Sequence, residues 1–153
     1  MKNFNRKEDF FYLIKYLQKL VDQDLDARLA LYDLTGQQGR ILFFIMRKTE
    51  REHMEVHQND IENEYHLSKS TVSGLVKRME KKGVISIEKQ HPYAILKPTD
   101  KARDILSHLD KHREEAIAQF LKGVDEKDKE VTLKTLQKFI QNMEKEEKDE
   151  KQN

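Results

Sequence analysis

At 153 residues, of which 37% are charged and 37% hydrophobic, the chain suits a single domain with a thin core, a shortage that oligomerisation would relieve. The absence of cysteine excludes disulfides, thiolate metal sites and thiol-based redox sensing, and the net charge of +1 by itself neither indicates nor excludes a nucleic-acid partner. Because the N-terminus lacks the apolar core of a signal peptide and no run is long enough to span a bilayer, we expect a cytoplasmic protein with no membrane partner.

Long helices are favoured over a sheet-rich fold, because only 5 glycines and 2 prolines interrupt the chain. From Phe10 to Leu29, apolar residues recur at alternating steps of three and four, which predicts an amphipathic helix over about residues 5–31. Its narrow apolar stripe is typical of a seam between helices, so we assign it to a dimer interface or a helical layer. Thr35 is a plausible N-cap of a second helix, which is apolar enough from Ile41 to Met46 to be central.

Two short helices joined by a turn are predicted next. After a charged stretch from Arg47 to His57, which indicates a loop or a frayed helix end, a short helix places Ile61 and Tyr65 inward. Ser68 caps the following helix, and Gly83 stands where a glycine often ends one. This helix turns the following polar and cationic side chains outward: Lys69, Ser70, Thr71, Ser73, Lys77, Arg78 and Lys81.

A hairpin and two further helices complete the expected architecture. Alternating residues from Val84 to Glu88 and a second extended run from Ala94 to Lys97 predict two strands joined by a short turn. Thr99 caps a long amphipathic helix that breaks near Gly123, and a last helix follows. Charged residues dominate from Glu144 to Asn153, where we expect a frayed or disordered tail. The predicted fold class is therefore mostly α, with a minor β component.

This order of elements resembles the MarR family of bacterial winged-helix regulators, and the resemblance extends to short runs of sequence. The similar runs, within roughly residues 34–102, are Leu34–Gln38, Asn59–Ile61, Leu67–Ser73, Arg78–Ile85 and Pro98–Thr99. The resemblance implies one MarR-like domain over residues 1–153, with a winged helix-turn-helix lobe at about 34–98, dimerisation helices at about 5–31 and 99–143, and a charged tail at 144–153. It further implies a sequence-specific transcription regulator, a ligand-responsive repressor that acts as a homodimer on a palindromic operator.

The chain departs from the family pattern at three places. His66 stands in the turn where the family usually has a small residue, so we expect a slightly strained turn. Gly74 lies within the second helix of the pair, where it either permits close approach to DNA or accommodates packing. The wing is short and lacks the family's Asp-x-Arg motif between Glu88 and Leu96, which leaves Lys89 and His91 as the nearest substitutes for a wing arginine.

Double-stranded DNA is the expected partner of the second helix of the pair. A recognition helix needs short hydrogen-bonding side chains where it enters the major groove, and cations further along to meet phosphates. Between residues 69 and 91, six lysines and arginines stand against two glutamates, a local excess of four positive charges. We therefore predict a DNA-binding set in which hydroxyls meet base edges and cations meet phosphates: Lys69, Ser70, Thr71, Ser73, Lys77, Arg78, Lys89 and His91.

The sequence also bears on two other classes of function. The sequence has neither a glycine-rich phosphate loop nor a nucleophile motif, so we expect no enzyme. A winged-helix protein-interaction adaptor without specific DNA binding is the main alternative, because the wing arginine is missing. Specific and steeply salt-dependent DNA binding would exclude the adaptor. The resemblance also implies a small-molecule effector that changes the spacing of the two lobes of the dimer.

Two pairs of histidines have a spacing of four residues. His53 and His57 lack the adjacent glutamate of a zinc-protease helix, so that match fails. His108 and His112 repeat the spacing on the long helix and could share a metal ion, but no further ligands are identifiable. We expect ordinary surface or interfacial histidines and no cofactor.

Overall fold

The computed structural model describes residues 9–90 and 92–150, with the backbone alone for residues 145–150. In the described residues, six α-helices, one π-helical segment and one two-stranded antiparallel sheet confirm the mostly α fold with a hairpin. The chain divides into two compact units, residues 1–109 and 110–153, so the single domain stays a prediction. The elements are α1 (Phe10–Ala30), α2 (Gly36–Met46), the π-helical segment (Arg47–Arg51), α3 (Gln58–Tyr65), α4 (Lys69–Lys81), β1 (Ile85–Lys89), β2 (Ala94–Pro98), α5 (Asp100–Phe120) and α6 (Glu126–Glu150).

Apolar side chains from α2, α3, α4 and the sheet form the core of the first unit. Each of these elements contributes a side chain with no exposed surface: Leu42, Ile61, Val76 and Leu96. The helical residues occupy the apolar sides that the sequence periodicity predicts. Because the apolar side of α4 packs on this core, the opposite side of the helix faces solvent.

A left-handed turn sets the angle between α3 and α4. His66 ends α3 with a φ of 51°, a conformation that non-glycine residues rarely adopt. The backbone N–H of Leu67 donates to the carbonyl of Glu62 at 3.1 Å, which closes the end of α3. Ser68 then caps α4 by accepting a hydrogen bond from the backbone N–H of Thr71 at 3.3 Å. The unusual turn and the cap are both confirmed.

The sheet ties the hairpin to the segment before α3. Gly83, with a φ of 72°, supplies the left-handed residue through which the chain leaves α4 and enters β1. β1 and β2 pair in antiparallel register, with Ile87 opposite Leu96. The backbone N–H of Leu96 also donates to the carbonyl of Val56 at 2.8 Å, which adds a single bridge on the other edge of β2.

Two stretches differ from the sequence expectation. Residues 47–51, expected to form a loop or a frayed helix end, continue α2 as a π-helical turn. In this turn the Thr49 hydroxyl donates to the Ile45 carbonyl at 2.8 Å, where it competes with the backbone N–H groups for the same acceptor. At the other end, α6 extends to Glu150 and does not end near Glu144. Glutamate and lysine favour helices, and no glycine or proline interrupts this stretch, so high charge alone does not end the helix.

Two helices expose apolar stripes. In α1, Leu13 and Leu17 expose 45% and 42% of their surface. In α6, no described side chain is buried, and Leu136 and Ile140 are 41% and 56% exposed. None of the described helices is both long and apolar enough to cross a membrane. Each stripe is therefore open to solvent in the isolated protomer.

His66→Gly is expected to be more stable than His66→Ala by about 1 kcal/mol, because glycine adopts the left-handed conformation without the steric penalty of a Cβ atom. Urea unfolding of the two variants measures this difference. Ala27→Gly, at an exposed position of α1, is the control, and there glycine should lower the free energy of unfolding by about 1 kcal/mol. Equal stabilities of the two His66 variants would contradict the strain at this turn.

Candidate nucleic-acid interface

One side of α4 is buried and the other is exposed. Val72, Val76 and Met79 have no exposed surface, and Leu75 exposes 4%. Because these residues are spaced by three and four positions, the intervening side chains point away from the core. The exposed candidates on α4 are Lys69, Ser70, Thr71, Lys77 and Arg78, while Ser73 is half-buried.

Three hydroxyl groups meet at the N-terminus of α4. The Oγ atom of Ser68 lies 3.1 Å from Ser70 Oγ and 2.8 Å from Thr71 Oγ1. All three residues are exposed. The first turn of a helix also carries free N–H groups and a partial positive charge, so this end of α4 is suited to accept negatively charged or hydrogen-bonding groups of a ligand.

Lys82, directly after α4, anchors the helix to α2. Its ammonium group donates to the backbone carbonyl of Asp33 and lies 3.3 Å from both Gln38 Oε1 and the Asp33 carboxylate. Gln38 is 2% exposed and closes a capping box with Thr35, whose hydroxyl accepts from the Gln38 N–H at 3.2 Å. Lys82 is therefore a structural cation, and its charge does not belong to the positive excess that is available to DNA.

The remaining cations of α4 are available to an external partner. Within the described residues, no ion pair involves Lys77 or Arg78. Glu88 in β1, in contrast, is bonded to Lys97 in β2, and this ammonium together with the Gln90 amide lowers the pKa of Glu88. The Glu88 carboxylate is thus already paired within the hairpin, so the unpaired charge on the exposed side of α4 and at the end of β1 is mainly positive.

An aromatic contact fixes β2 at the end of the hairpin that is next to its turn. The ring of Tyr93 lies 5.9 Å from the ring of His57, and His57 Nδ1 is 3.0 Å from the backbone oxygen of Ala94. Lys89 is exposed at the end of β1. His91 lies outside the described residues, so its predicted DNA contact stays a prediction.

Arg103 joins α5 to the π-helical segment. Its guanidinium nitrogens lie 2.6 Å from Glu50 Oε1 and 2.6 Å from Asp100 Oδ1. The Glu50 carboxylate, with Asp100 beside it, raises the pKa of Arg103 above its already high ordinary value. This guanidinium is therefore paired within its own chain and links the start of α5 to the π-helical segment.

The histidines considered as metal ligands have local partners. His108 Nδ1 lies 2.7 Å from the carbonyl oxygen of Asp104, and His112 Nδ1 lies 3.2 Å from Glu115 Oε2. In the part of the chain that the structure describes, no group of three or more His, Cys, Asp or Glu side chains is arranged to hold a metal ion.

Sequence reasoning missed the anchoring role of Lys82 and the hydroxyl cluster around Ser68. The partners of Lys82 lie 49 and 44 residues away along the chain, so no local pattern indicates them. For Ser68 a signal exists, because further hydroxyl residues follow the N-cap at the second and third positions. Read together with the cap, that spacing predicts the hydroxyl cluster.

Two short helices joined by a tight turn, with the second helix exposed and a β-hairpin after it, define a winged helix-turn-helix protein. The model of the MarR family matches residues 32–91, a range that includes α2, α3, α4 and β1. This match confirms the resemblance to the MarR family, whose members are transcription regulators and not enzymes.

Solved structures share this fold over almost the whole chain. The transcription regulator MepR of Staphylococcus aureus is 20% identical, with a TM-score of 0.75, over 88% of this chain and 98% of that chain. A MepR–DNA complex matches at 20% identity and a TM-score of 0.67, over 91% and 99% respectively. The transcription regulator MarR from Oenococcus oeni is 27% identical, with a TM-score of 0.55, over 87% and 99%. No curated protein sequence matches the chain significantly.

Lys82→Ala is expected to lower the free energy of unfolding by about 1–2 kcal/mol, because it removes the ammonium that donates to the Asp33 carbonyl and leaves Gln38 Oε1 with the Thr35 N–H alone. Denaturant unfolding measures the loss. Lys77→Ala is the matched control, since it removes an exposed ammonium from the same region and should change stability by less than about 0.5 kcal/mol. The anchoring role is wrong if both variants unfold at the same denaturant concentration.

Proposed function

We propose that the chain is a homodimeric transcription repressor of the cytoplasm that binds a palindromic DNA operator through α4. The observation that carries this function is the division of α4 into a fully buried apolar side and an exposed side with hydroxyls at its N-terminus and unpaired cations beyond them. Short hydroxyl side chains suit base edges in the major groove, and cations suit the flanking phosphates. The likeness to a regulator solved with DNA supports the same assignment.

The hydroxyl cluster favours base reading because its geometry is set before DNA arrives. The Ser68 and Thr71 hydroxyls lie 2.8 Å apart, so one donates to the other and the remaining donor and acceptor positions are oriented outward. A preformed arrangement loses less conformational freedom on binding than a set of mobile side chains. Ser70, on the first turn, extends this polar surface.

Dimerisation is part of the proposed mechanism. Two recognition helices placed about 34 Å apart meet successive major grooves on one face of the duplex, which gives both affinity and a preference for palindromes. The exposed apolar stripes of α1 and α6 are the surfaces that a second copy would cover. The resemblance adds a small-molecule effector, and a cleft of about 490 Å³, lined in part by Met54, Ile95 and Arg103, has room for one.

The first experiment is fluorescence-anisotropy binding to the DNA upstream of the protein's own gene, against scrambled DNA, over a salt series. A repressor should prefer the upstream DNA by two or more orders of magnitude, with affinity that falls steeply as salt rises. No preference for the upstream DNA or for any fragment of a genomic pool, at any salt concentration, would instead favour a protein-interaction adaptor.

Two variants separate affinity from sequence preference. Lys77→Ala should weaken binding to all DNAs and reduce the slope of log affinity against log salt by about 1, because one phosphate contact is lost. Thr71→Ala should leave the slope unchanged and cost about 1–3 kcal/mol of discrimination at one base pair in each half-site. The division of roles fails if the two variants lose the same affinity on every sequence.

Ile140→Glu is expected to shift the protein from dimer to monomer, since it places a charge in the middle of the apolar stripe of α6. Sedimentation velocity at several protein concentrations measures the change. Lys138→Glu, on the opposite side of the same helix, is the control and should stay dimeric. A dimer of unchanged strength with Ile140→Glu would exclude the α6 stripe from the interface.

A further inference from the structure

Gly74 lies at the centre of the exposed side of α4. On a helix surface, the nearest neighbours of a residue are those three and four positions away. For Gly74 these neighbours are Ser70, Thr71, Lys77 and Arg78, all of them exposed. The surface assigned to DNA therefore has a gap at its middle, where a side chain is missing.

Packing in the folded protein does not require a glycine at this position. Gly74 is not among the glycines with positive φ. A Cβ atom built on it would have as its three nearest neighbours the guanidinium atoms of Arg78, at 3.4 to 4.0 Å, and not core side chains. Glycine is among the least favourable residues in a helix interior, so Gly74 lowers the stability of α4. The contacts of α4 with the core do not explain why a glycine stands there.

The gap is occupied by the guanidinium group of Arg78. The group lies over Gly74, one helical turn towards the N-terminus from the Cα atom of Arg78 itself. It is thereby placed at the middle of the exposed side, next to the turn that carries Ser70 and Thr71. A side chain extended away from the helix would instead reach the edge of the groove, where phosphates lie.

We propose that Gly74 and Arg78 form a guanine-reading unit. Gly74 leaves room for the helix backbone and the guanidinium to approach the floor of the major groove together, and two N–H groups of Arg78 donate to O6 and N7 of a guanine. This role rests on the DNA binding proposed above. It replaces the phosphate contact that the sequence pattern predicts for Arg78, and it leaves phosphates to the ammonium groups of Lys69 and Lys77.

The difference between the guanidinium group of arginine and the ammonium group of lysine makes this role testable. A phosphate accepts any nearby positive charge, whereas the paired acceptors of guanine match the planar fork of arginine. Lysine at position 78 would keep the charge and lose the fork. The effect of Arg78→Lys on sequence discrimination therefore distinguishes a base contact from a phosphate contact.

The experiment measures binding of wild type, Arg78→Lys and Lys77→Arg to the preferred DNA and to a panel in which each G·C pair is replaced in turn by A·T. We expect wild type and the control, Lys77→Arg, to lose about tenfold or more at one G·C pair in each half-site. Arg78→Lys should lose less than about threefold there and keep the wild-type salt slope.

A second variant tests the role of the gap. Gly74→Leu fills the space beneath the guanidinium with a residue that favours helices, so its melting temperature should equal or exceed that of wild type. Its discrimination at the same G·C pair should nevertheless be lost. If wild type discriminates at the G·C pair and both Arg78→Lys and Gly74→Leu discriminate there equally well, the guanine-reading unit is wrong and the proposed function stands. If wild type prefers no DNA sequence, both the guanine-reading unit and the proposed function are wrong.

Discussion

The one-sided burial of α4 is the constraint on which the rest of the structure depends. Its apolar side is completed by residues with no exposed surface, among them Val72 and Met79. This packing fixes the rotation of the helix about its own axis, because a rotation of one residue position would bring a polar side chain into the core. The exposed hydroxyls and cations owe their common direction to that fixed rotation rather than to contacts among themselves.

The elements around α4 hold both of its ends. At the N-terminus, the left-handed residue His66 and the cap at Ser68 set the direction in which the helix starts. At the C-terminus, Lys82 is bound to the loop before α2, and Gly83 turns the chain into the hairpin. Both ends of α4 are thus anchored to the same core, and side chains carried by such a supported helix are held more precisely than side chains on a loop.

Local patterns were enough to predict most of the elements, whereas the roles of single cations depend on tertiary contacts. The caps at Thr35 and Ser68 follow from residue types within a few positions of one another, whereas the unusual turn at His66 follows from the family resemblance. The structure confirms all three. Lys82 and Arg78 carry the same charge in the same stretch, yet one is bound to distant groups and the other lies over Gly74. The candidate site was therefore predictable as a surface, but the function of each of its charges was not.

Two residues of the helix-turn-helix segment lower the stability of the folded chain. His66 adopts a backbone conformation that glycine would adopt more easily, and Gly74 occupies a helix interior that alanine would favour. The composition leaves little surplus stability to absorb such costs, since charged residues are as frequent as hydrophobic ones. Covering the apolar stripes of α1 and α6 in a dimer would restore that stability, so the proposed DNA-binding dimer would also be the assembly in which the unfavourable His66 and Gly74 are tolerated.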